Sequence, residues 1–65
     1  MKMWIARDSD NTLWLHEEKP QKGETKRGGF FWYSTEGFWE VDEDFLPEVT
    51  FENSPMEVEL KLIEK

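Results

Sequence analysis

The chain has 65 residues, a formal net charge of −7, no cysteine and one histidine, His16. A chain of this length forms one domain close to the lower size limit for folding without a partner. The lack of cysteine excludes disulfides, and one imidazole falls short of the about three or four protein ligands that bind zinc. We therefore expect residues 1–65 to form a single small domain with no metal and no cofactor. Its stability would depend on the packing of four Trp, five Phe and one Tyr.

The hydrophobicity of the chain gives no sign of a membrane segment. The N-terminal stretch MKMWIARDSD lacks the apolar centre of a signal peptide. Nowhere does the sequence contain the run of about 18 apolar residues that indicates a membrane-spanning helix. We expect a cytoplasmic protein that does not bind membranes.

Acidic and basic residues are distributed unevenly. Between Arg27 and Lys61 the sequence has no basic residue and nine acidic ones, whereas KPQKGETKR, residues 19–27, has four bases and one acid. General nucleic-acid binding is disfavoured, because neutralising phosphates requires a dominant basic surface. The acids are explained by the solubility that an aromatic-rich protein needs, by a basic protein partner, or by mimicry of nucleic-acid charge.

The first predicted element is a β-hairpin. MWIAR and TLWLH are apolar and aromatic runs separated by DSDN, whose short polar side chains favour turns. A three-residue loop with Asn11 in the left-handed conformation would pair Ile5 with Leu15 and Ala6 with Trp14. The aliphatic face of this hairpin would then carry Met3, Ile5, Leu13 and Leu15, and its aromatic face Trp4, Ala6, Trp14 and His16. A four-residue loop would mix the two sets, because a slip of one residue reverses a strand's faces.

Residues 19–28 are predicted to be a mobile basic loop, because this segment is rich in lysine, glycine and proline and has no periodic apolar residue. A second hairpin is expected to follow. In it FFWYS would pair with FWEV around the turn TEG, where Gly37 would supply a positive φ angle. The FFWYS strand would be aromatic on both faces.

The C-terminal half contains weaker signals. DEDFLP predicts one helical turn, capped by Asp42 and ended by Pro47. EVTF favours a short strand and ENSP a turn. The segment MEVELKLIEK follows Ser54 and Pro55, which suit a helix start, but its apolar residues alternate as in a strand. We predict a strand there.

These elements define the expected fold class. The chain is predicted to be mainly β, with four to five antiparallel strands and one short helical turn. A small twisted sheet and an open barrel both satisfy the pattern.

No combination of residues indicates an enzyme. Nucleophilic catalysis needs a hydroxyl or thiol close to a base, and His16 beside tryptophans is more typical of packing. The segment 8–12 fails the calcium-loop pattern, because Leu13 and Lys19 occupy positions that need glycine and glutamate. A glycine-rich phosphate loop is missing as well. We predict a non-enzymatic protein without a small-molecule substrate.

An aromatic surface is the candidate binding site. One sheet with a single helical turn covers only one of its faces well, so aromatic rings are expected on the other face unless the sheet curls around them. Exposed apolar patches and Trp and Tyr side chains mark interaction sites. We predict that this surface binds a protein partner or a second copy of the chain, with nearby acids selecting the partner by charge. The candidate partner-binding residues are Trp4, Trp14, Trp32, Tyr33, Trp39, Asp42 and Asp44.

A nucleic-acid-related role is the alternative hypothesis. Strand-borne aromatic rings beside a basic segment are features of single-strand-binding modules. The base-free acidic segment speaks against direct binding, but its charge is compatible with mimicry of a nucleic acid. Salt-dependent binding to an oligonucleotide would separate direct binding from both protein-binding readings.

The stretches MKMWIARDSDNTLWL, KP, FFWYS and LPEVTFENSPMEVELKLI resemble a group of short uncharacterised bacterial and prophage-type proteins. The resemblance covers nearly the whole chain, and its motifs are not specific to any activity. It implies a compact stand-alone protein and carries over no functional residue. Small acidic phage proteins often bind and inhibit host proteins, so the resemblance favours protein binding by analogy.

Overall fold

The computed structural model describes residues 2–59, which form six β-strands in two antiparallel sheets. The strands are β1 (Lys2–Arg7), β2 (Leu13–His16), β3 (Gln21–Glu24), β4 (Phe30–Tyr33), β5 (Phe38–Val41) and β6 (Met56–Glu59). The larger sheet has the order β5-β2-β1-β6, and the smaller sheet pairs β3 with β4. The mainly β, antiparallel fold class is confirmed. The described residues contain six strands rather than four or five, and they form neither a closed barrel nor a helix.

The first hairpin has the predicted register. β1 and β2 pair Ile5 with Leu15 and Ala6 with Trp14. Asn11 has a φ angle of 79°, and its N–H donates to the Asp8 carbonyl at 3.0 Å. The left-handed conformation costs asparagine less than most residues, since its short polar side chain bonds locally. The turn chemistry of DSDN therefore fixes which side chains share each face.

The core lies on the aliphatic face of this hairpin. It consists of Ile5, Leu13 and Val49, with Leu15, Val41, Leu46 and Val58 partly buried against it. The connection between β5 and β6, residues 42–55, supplies Leu46 and Val49 and so folds across this face. Burying these aliphatic side chains stabilises the fold.

Arg7 holds that connection in place. Its side chain is almost fully buried, and its guanidinium donates to the backbone carbonyls of Val49, Asn11 and Leu46. A buried charge is tolerated when hydrogen bonds replace its lost hydration. Arg7 therefore ties the hairpin turn and the 42–55 connection to β1.

The smaller sheet lies across the aromatic face. The Ser9 N–H donates to the Phe30 carbonyl, and the Phe30 N–H donates to Ser9 Oγ at 2.9 Å. The Trp32 N–H donates to Asp8 Oδ1 at 2.9 Å. Ala6 on the aromatic face is fully buried as a result. The second sheet thus covers part of this face, which the sequence predicted to be exposed unless the sheet curled around it.

The prediction that residues 19–28 form a loop is wrong for Gln21–Glu24, which is strand β3. The segment QKGE has no alternating apolar pattern. The apolar side chains of this strand pair all come from its partner, β4. Gly23 lies opposite Phe31. A Cβ atom at Gly23 would lie 2.6 Å from Phe31 Cζ, so the ring occupies the space of the missing side chain.

The predicted hairpin between FFWYS and FWEV is also wrong. β4 pairs with β3, whereas β5 pairs with β2 in the other sheet. The positive-φ glycine is Gly28, with a φ of 84°, in the turn between β3 and β4 rather than Gly37. A strand's periodicity indicates which side chains share a face but not which strand is its neighbour.

The helical turn predicted for DEDFLP does not form. The Phe45 N–H donates to the Asp42 carbonyl, which closes one tight turn, and Leu46 then adopts a φ angle of 59°. A residue before proline is disfavoured in the right-handed helical region, so Pro47 stops the helix before a second turn can form. The segment EVTF is not a strand either.

The strand prediction for the last segment is confirmed for Met56–Glu59, where β6 pairs with β1. The rest of that prediction, residues 60–65, lies outside the described part of the chain.

Candidate functional site

An aromatic cavity lies between the two sheets. Its volume is about 230 Å³, and it is lined by Asp8, Trp14, His16, Phe31, Trp32 and Phe38. Register brings these residues together, since His16 lies opposite both Trp4 of β1 and Phe38 of β5. Directly opposed residues in antiparallel strands share a face, so the three side chains form one row across the aromatic face. β4 contributes the remaining wall.

Phe38 forms the solvent side of the cavity. Its ring centroid lies 6.0 Å from that of Trp14 at an interplanar angle of 58°, and 6.2 Å from that of His16. These separations are typical of favourable tilted aromatic pairs. Phe38 is nevertheless 52% exposed. The ring therefore packs on one side and meets solvent on the other.

His16 brings a buried polar group to the cavity wall. Its side chain is 1% exposed, Nδ1 forms a 2.8 Å hydrogen bond with Ser34 Oγ, and Nε2 has no partner among residues 2–59. Burial lowers the pKa of the imidazole, which favours its neutral form near pH 7. The indole Nε1 of Trp32 is a second buried polar atom that finds no partner in the described part of the chain. Such atoms are uncommon in native structures and reduce stability where they occur.

Asp8 is the charged group of the cavity. It is half-buried, and this burial raises the pKa of its carboxyl above the ordinary value. The hydrogen bond from the Trp32 N–H offsets part of that effect, and the neighbouring Asp10 carboxylate raises the pKa further. The cavity thus combines four aromatic rings with one carboxylate.

Among residues 2–59, the outer side of β5 is a free strand edge next to this cavity. The Glu17 N–H donates to the Gly37 carbonyl at 3.0 Å, which makes this pair a hydrogen-bonded one. Hydrogen-bonded and non-hydrogen-bonded pairs alternate along antiparallel strands. The Trp39 N–H therefore points to β2, whereas the N–H groups of Phe38 and Glu40 point away from it. No strand among residues 2–59 pairs with that side.

The side chains of β5 leave this edge open to association. Phe38 and Trp39 are 52% and 48% exposed and lie on opposite faces of the sheet. Natural proteins usually protect strand edges with lysine, proline or a bulge. The sequence FWEV has neither lysine nor proline, and its one charge is Glu40. We call the free edge, Phe38–Val41, the β5 edge.

The structure brings some of the predicted aromatic residues together. Trp14 and Trp32 line the cavity, Trp4 lies in the same row as His16, and Trp39 is on the β5 edge. None of the four tryptophans is fully buried. Tyr33 is 44% exposed on β4.

The two predicted acids have local roles. Asp42 Oδ1 accepts a hydrogen bond from the Asp44 N–H at 2.8 Å and so closes the turn after β5. Asp44 lines a second cavity of about 460 Å³, whose wall includes Arg7 and Glu52. All three side-chain nitrogens of Arg7 donate to backbone carbonyls, so its guanidinium is engaged in holding the fold. Residues 2–59 contain no group of three metal-ligating side chains.

Four residues of the cavity were not predicted as site residues: Asp8, His16, Phe31 and Phe38. Aspartate is common in turns, so Asp8 was assigned to the turn alone. Its hydrogen bond with the Trp32 N–H joins positions 24 residues apart, and local sequence patterns do not indicate contacts of that range. Alternation along FFWYS gives Phe31 a face, but its partner Gly23 lay in a segment predicted as a loop.

Comparison with known proteins found no matching family model, no matching curated protein and no matching solved structure. The resemblance to bacterial and prophage-type proteins therefore stays a prediction. The part of the chain that the structure describes has no helix long and apolar enough to cross a membrane.

Proposed function

We propose that the chain is a non-enzymatic binding protein whose contact surface is the β5 edge with the aromatic cavity beside it. The observation that carries this proposal is the hydrogen-bonding edge of β5, which no strand within residues 2–59 covers and which Phe38 and Trp39, both about half exposed, flank. An added strand from a partner would satisfy the outward backbone groups and cover both rings. Aromatic anchors of this kind dominate the energetics of protein interfaces.

Charge favours a different protein over a second copy of the chain. The formal net charge is −7, and Glu40, Asp42, Glu43 and Asp44 lie on or directly after β5. Pairing two β5 edges would bring these acids close to their equivalents, and like charges across strands are destabilising. A basic partner meets the same surface with favourable electrostatics.

The nucleic-acid alternative receives less support. Two of the four bases in residues 19–27 already lie over aromatic rings of the chain. Lys19 Nζ is 5.6 Å from the centre of the Trp4 ring, and Lys22 Nζ is 5.1 Å from that of Phe51. These ammonium groups already interact with the protein's own rings, which makes them less available to phosphates. The negative net charge also repels phosphates.

Affinity capture from a lysate of the source cells tests the proposal. The wild-type protein is compared with a Phe38→Ser, Trp39→Ser double variant, whose replaced side chains are both exposed. Met56→Ser is the matched control, because Met56 is an exposed apolar residue on β6 at the opposite edge of the sheet. Each variant is first checked for folding by circular dichroism.

We expect a protein that wild type and Met56→Ser retain and that the double variant loses. Equal recovery by all three proteins would contradict a role for the β5 edge. Concentration-dependent self-association of the wild type, measured by sedimentation equilibrium and lost in the double variant, would replace the different partner by a second copy.

A further inference from the structure

We propose that the aromatic cavity takes the ammonium group of a lysine side chain from an extended basic segment of the partner. This inference rests on the proposed function and names the chemistry that the site recognises. The β5 edge would bind the backbone of the segment, and the cavity beside Phe38 would bind one of its side chains.

The size of the cavity suits a side chain rather than a complete ligand. Pockets for drug-sized molecules and cofactors span roughly 300–1,000 Å³. The cavity measures about 230 Å³. A flexible aliphatic stem with a terminal group fills such a space, and the exposed rim residue Phe38 places its opening next to the β5 edge.

The lining of the cavity favours a cation. Aromatic faces attract ammonium groups through their quadrupole, and the attraction increases when water is excluded. Trp14, Phe31, Trp32 and Phe38 provide the rings, and Asp8 provides a carboxylate within the same wall. His16 adds no opposing charge near neutral pH, because burial lowers its pKa.

The chain's own lysines show that its rings hold ammonium groups. Lys22 Nζ lies 5.2 Å from the ring centre of Phe30, 5.9 Å from Trp32 and 5.1 Å from Phe51. Among residues 2–59, no lysine or arginine lies over Trp14, Phe31 or Phe38. Within the described residues, three of the four cavity rings therefore carry no cation of the chain's own.

A pair of small probes tests this directly. Nα-acetyl-lysine methylamide carries the proposed side chain, and Nα-acetyl-norleucine methylamide has the same aliphatic stem without the ammonium. Each probe is titrated into the isotope-labelled protein, and the indole N–H signals of Trp14 and Trp32 are followed by nuclear magnetic resonance. We expect saturable shifts with the lysine probe and about tenfold weaker binding of the norleucine probe.

Two variants add a matched comparison. Asp8→Asn removes the charge from the cavity while its side-chain oxygen still accepts the Trp32 N–H. Asp10→Asn removes an exposed neighbouring charge that does not line the cavity. We expect Asp8→Asn to weaken binding of the lysine probe about tenfold, and Asp10→Asn to change it by less than about twofold.

Equal binding of the two probes, or no saturable shift with the lysine probe, would overturn the inference even if Asp8→Asn failed to fold. The probe titration and the affinity capture fail independently. Loss of a captured protein in the β5-edge variant without lysine-probe binding would leave the proposed function standing and remove the cavity's role. Probe binding without such a captured protein would leave the cavity's affinity for ammonium groups standing and remove the support for the proposed function.

Discussion

Two buried polar side chains, Arg7 and His16, connect elements that are far apart in the sequence. Arg7 bonds to carbonyls in the hairpin turn and in the 42–55 connection, and His16 bonds to Ser34. The sequence predicted neither role. A basic residue at the end of a strand reads as solvent-exposed, and its carbonyl partners are backbone atoms that any residue could supply.

His16 makes the stability of the fold depend on pH. Burial lowers its pKa in the folded state below the ordinary value of 6.5. The folded state therefore binds this proton less tightly than the unfolded state. The contribution of His16 is fully present above pH 6.5 and is lost as pH falls through the folded pKa.

We expect the free energy of unfolding to decrease below about pH 6.5, by up to about 1.4 kcal/mol per pH unit. Asp8, whose pKa is raised, acts in the opposite direction at lower pH. Urea unfolding of wild type and His16→Asn between pH 8 and pH 5.5 measures the effect. The variant lacks the titrating ring, and a pH dependence as steep as that of wild type would contradict this account.

At the level of strands, the β3–β4 hairpin depends on a ring packed over a glycine. The Phe31 ring lies where a Gly23 side chain would be, with three ring atoms at 2.6–3.0 Å from an added Cβ. Phe31 also lines the aromatic cavity and lies 5.8 Å from the Tyr33 ring. Moving this ring therefore disturbs both the hairpin and the cavity.

Gly23→Ala is expected to lower the free energy of unfolding by about 1–3 kcal/mol, because the new methyl group overpacks the Phe31 ring. Glu24→Ala, at the exposed neighbouring position, is the control and should change it by less than about 0.5 kcal/mol. Both values come from urea unfolding followed by fluorescence. A Gly23→Ala variant as stable as the control would show that the ring moves aside without cost.

Sequence reasoning succeeded where the determinants were local. The first hairpin follows from DSDN and from alternation around it, and the structure has the same register. It failed where strand partners are distant. FFWYS pairs with a polar segment that has no strand pattern. FWEV pairs with β2, although the β3–β4 hairpin lies between them in the sequence. Five of the seven predicted site residues are aromatic residues on strands, and composition alone pointed to them. The cavity could not be predicted in the same way, because it forms only when β2, β4 and β5 come together in the tertiary structure.

On the scale of the whole molecule, the two sheets divide the aromatic residues into covered and uncovered sets. The smaller sheet covers part of the aromatic face, which the sequence predicted to be exposed unless the sheet curled around it. Of the four exposed aromatic side chains among residues 2–59, Phe38 and Trp39 lie on β5, whose backbone edge is also free within these residues, and Tyr33 and Phe45 lie elsewhere. Together with the net charge of −7, this arrangement favours a basic protein that adds a strand.

Amide hydrogen exchange of the protein with and without its captured partner tests this central claim most directly. In the free protein we expect rapid exchange at the outward amides of Phe38 and Glu40 and slow exchange at the β2-bonded amides of Trp39 and Val41. If the partner adds a strand to β5, amide exchange at Phe38 and Glu40 slows when the partner binds, and the amides of Trp39 and Val41 stay protected. Unchanged exchange at Phe38 and Glu40, with new protection elsewhere, would contradict the account.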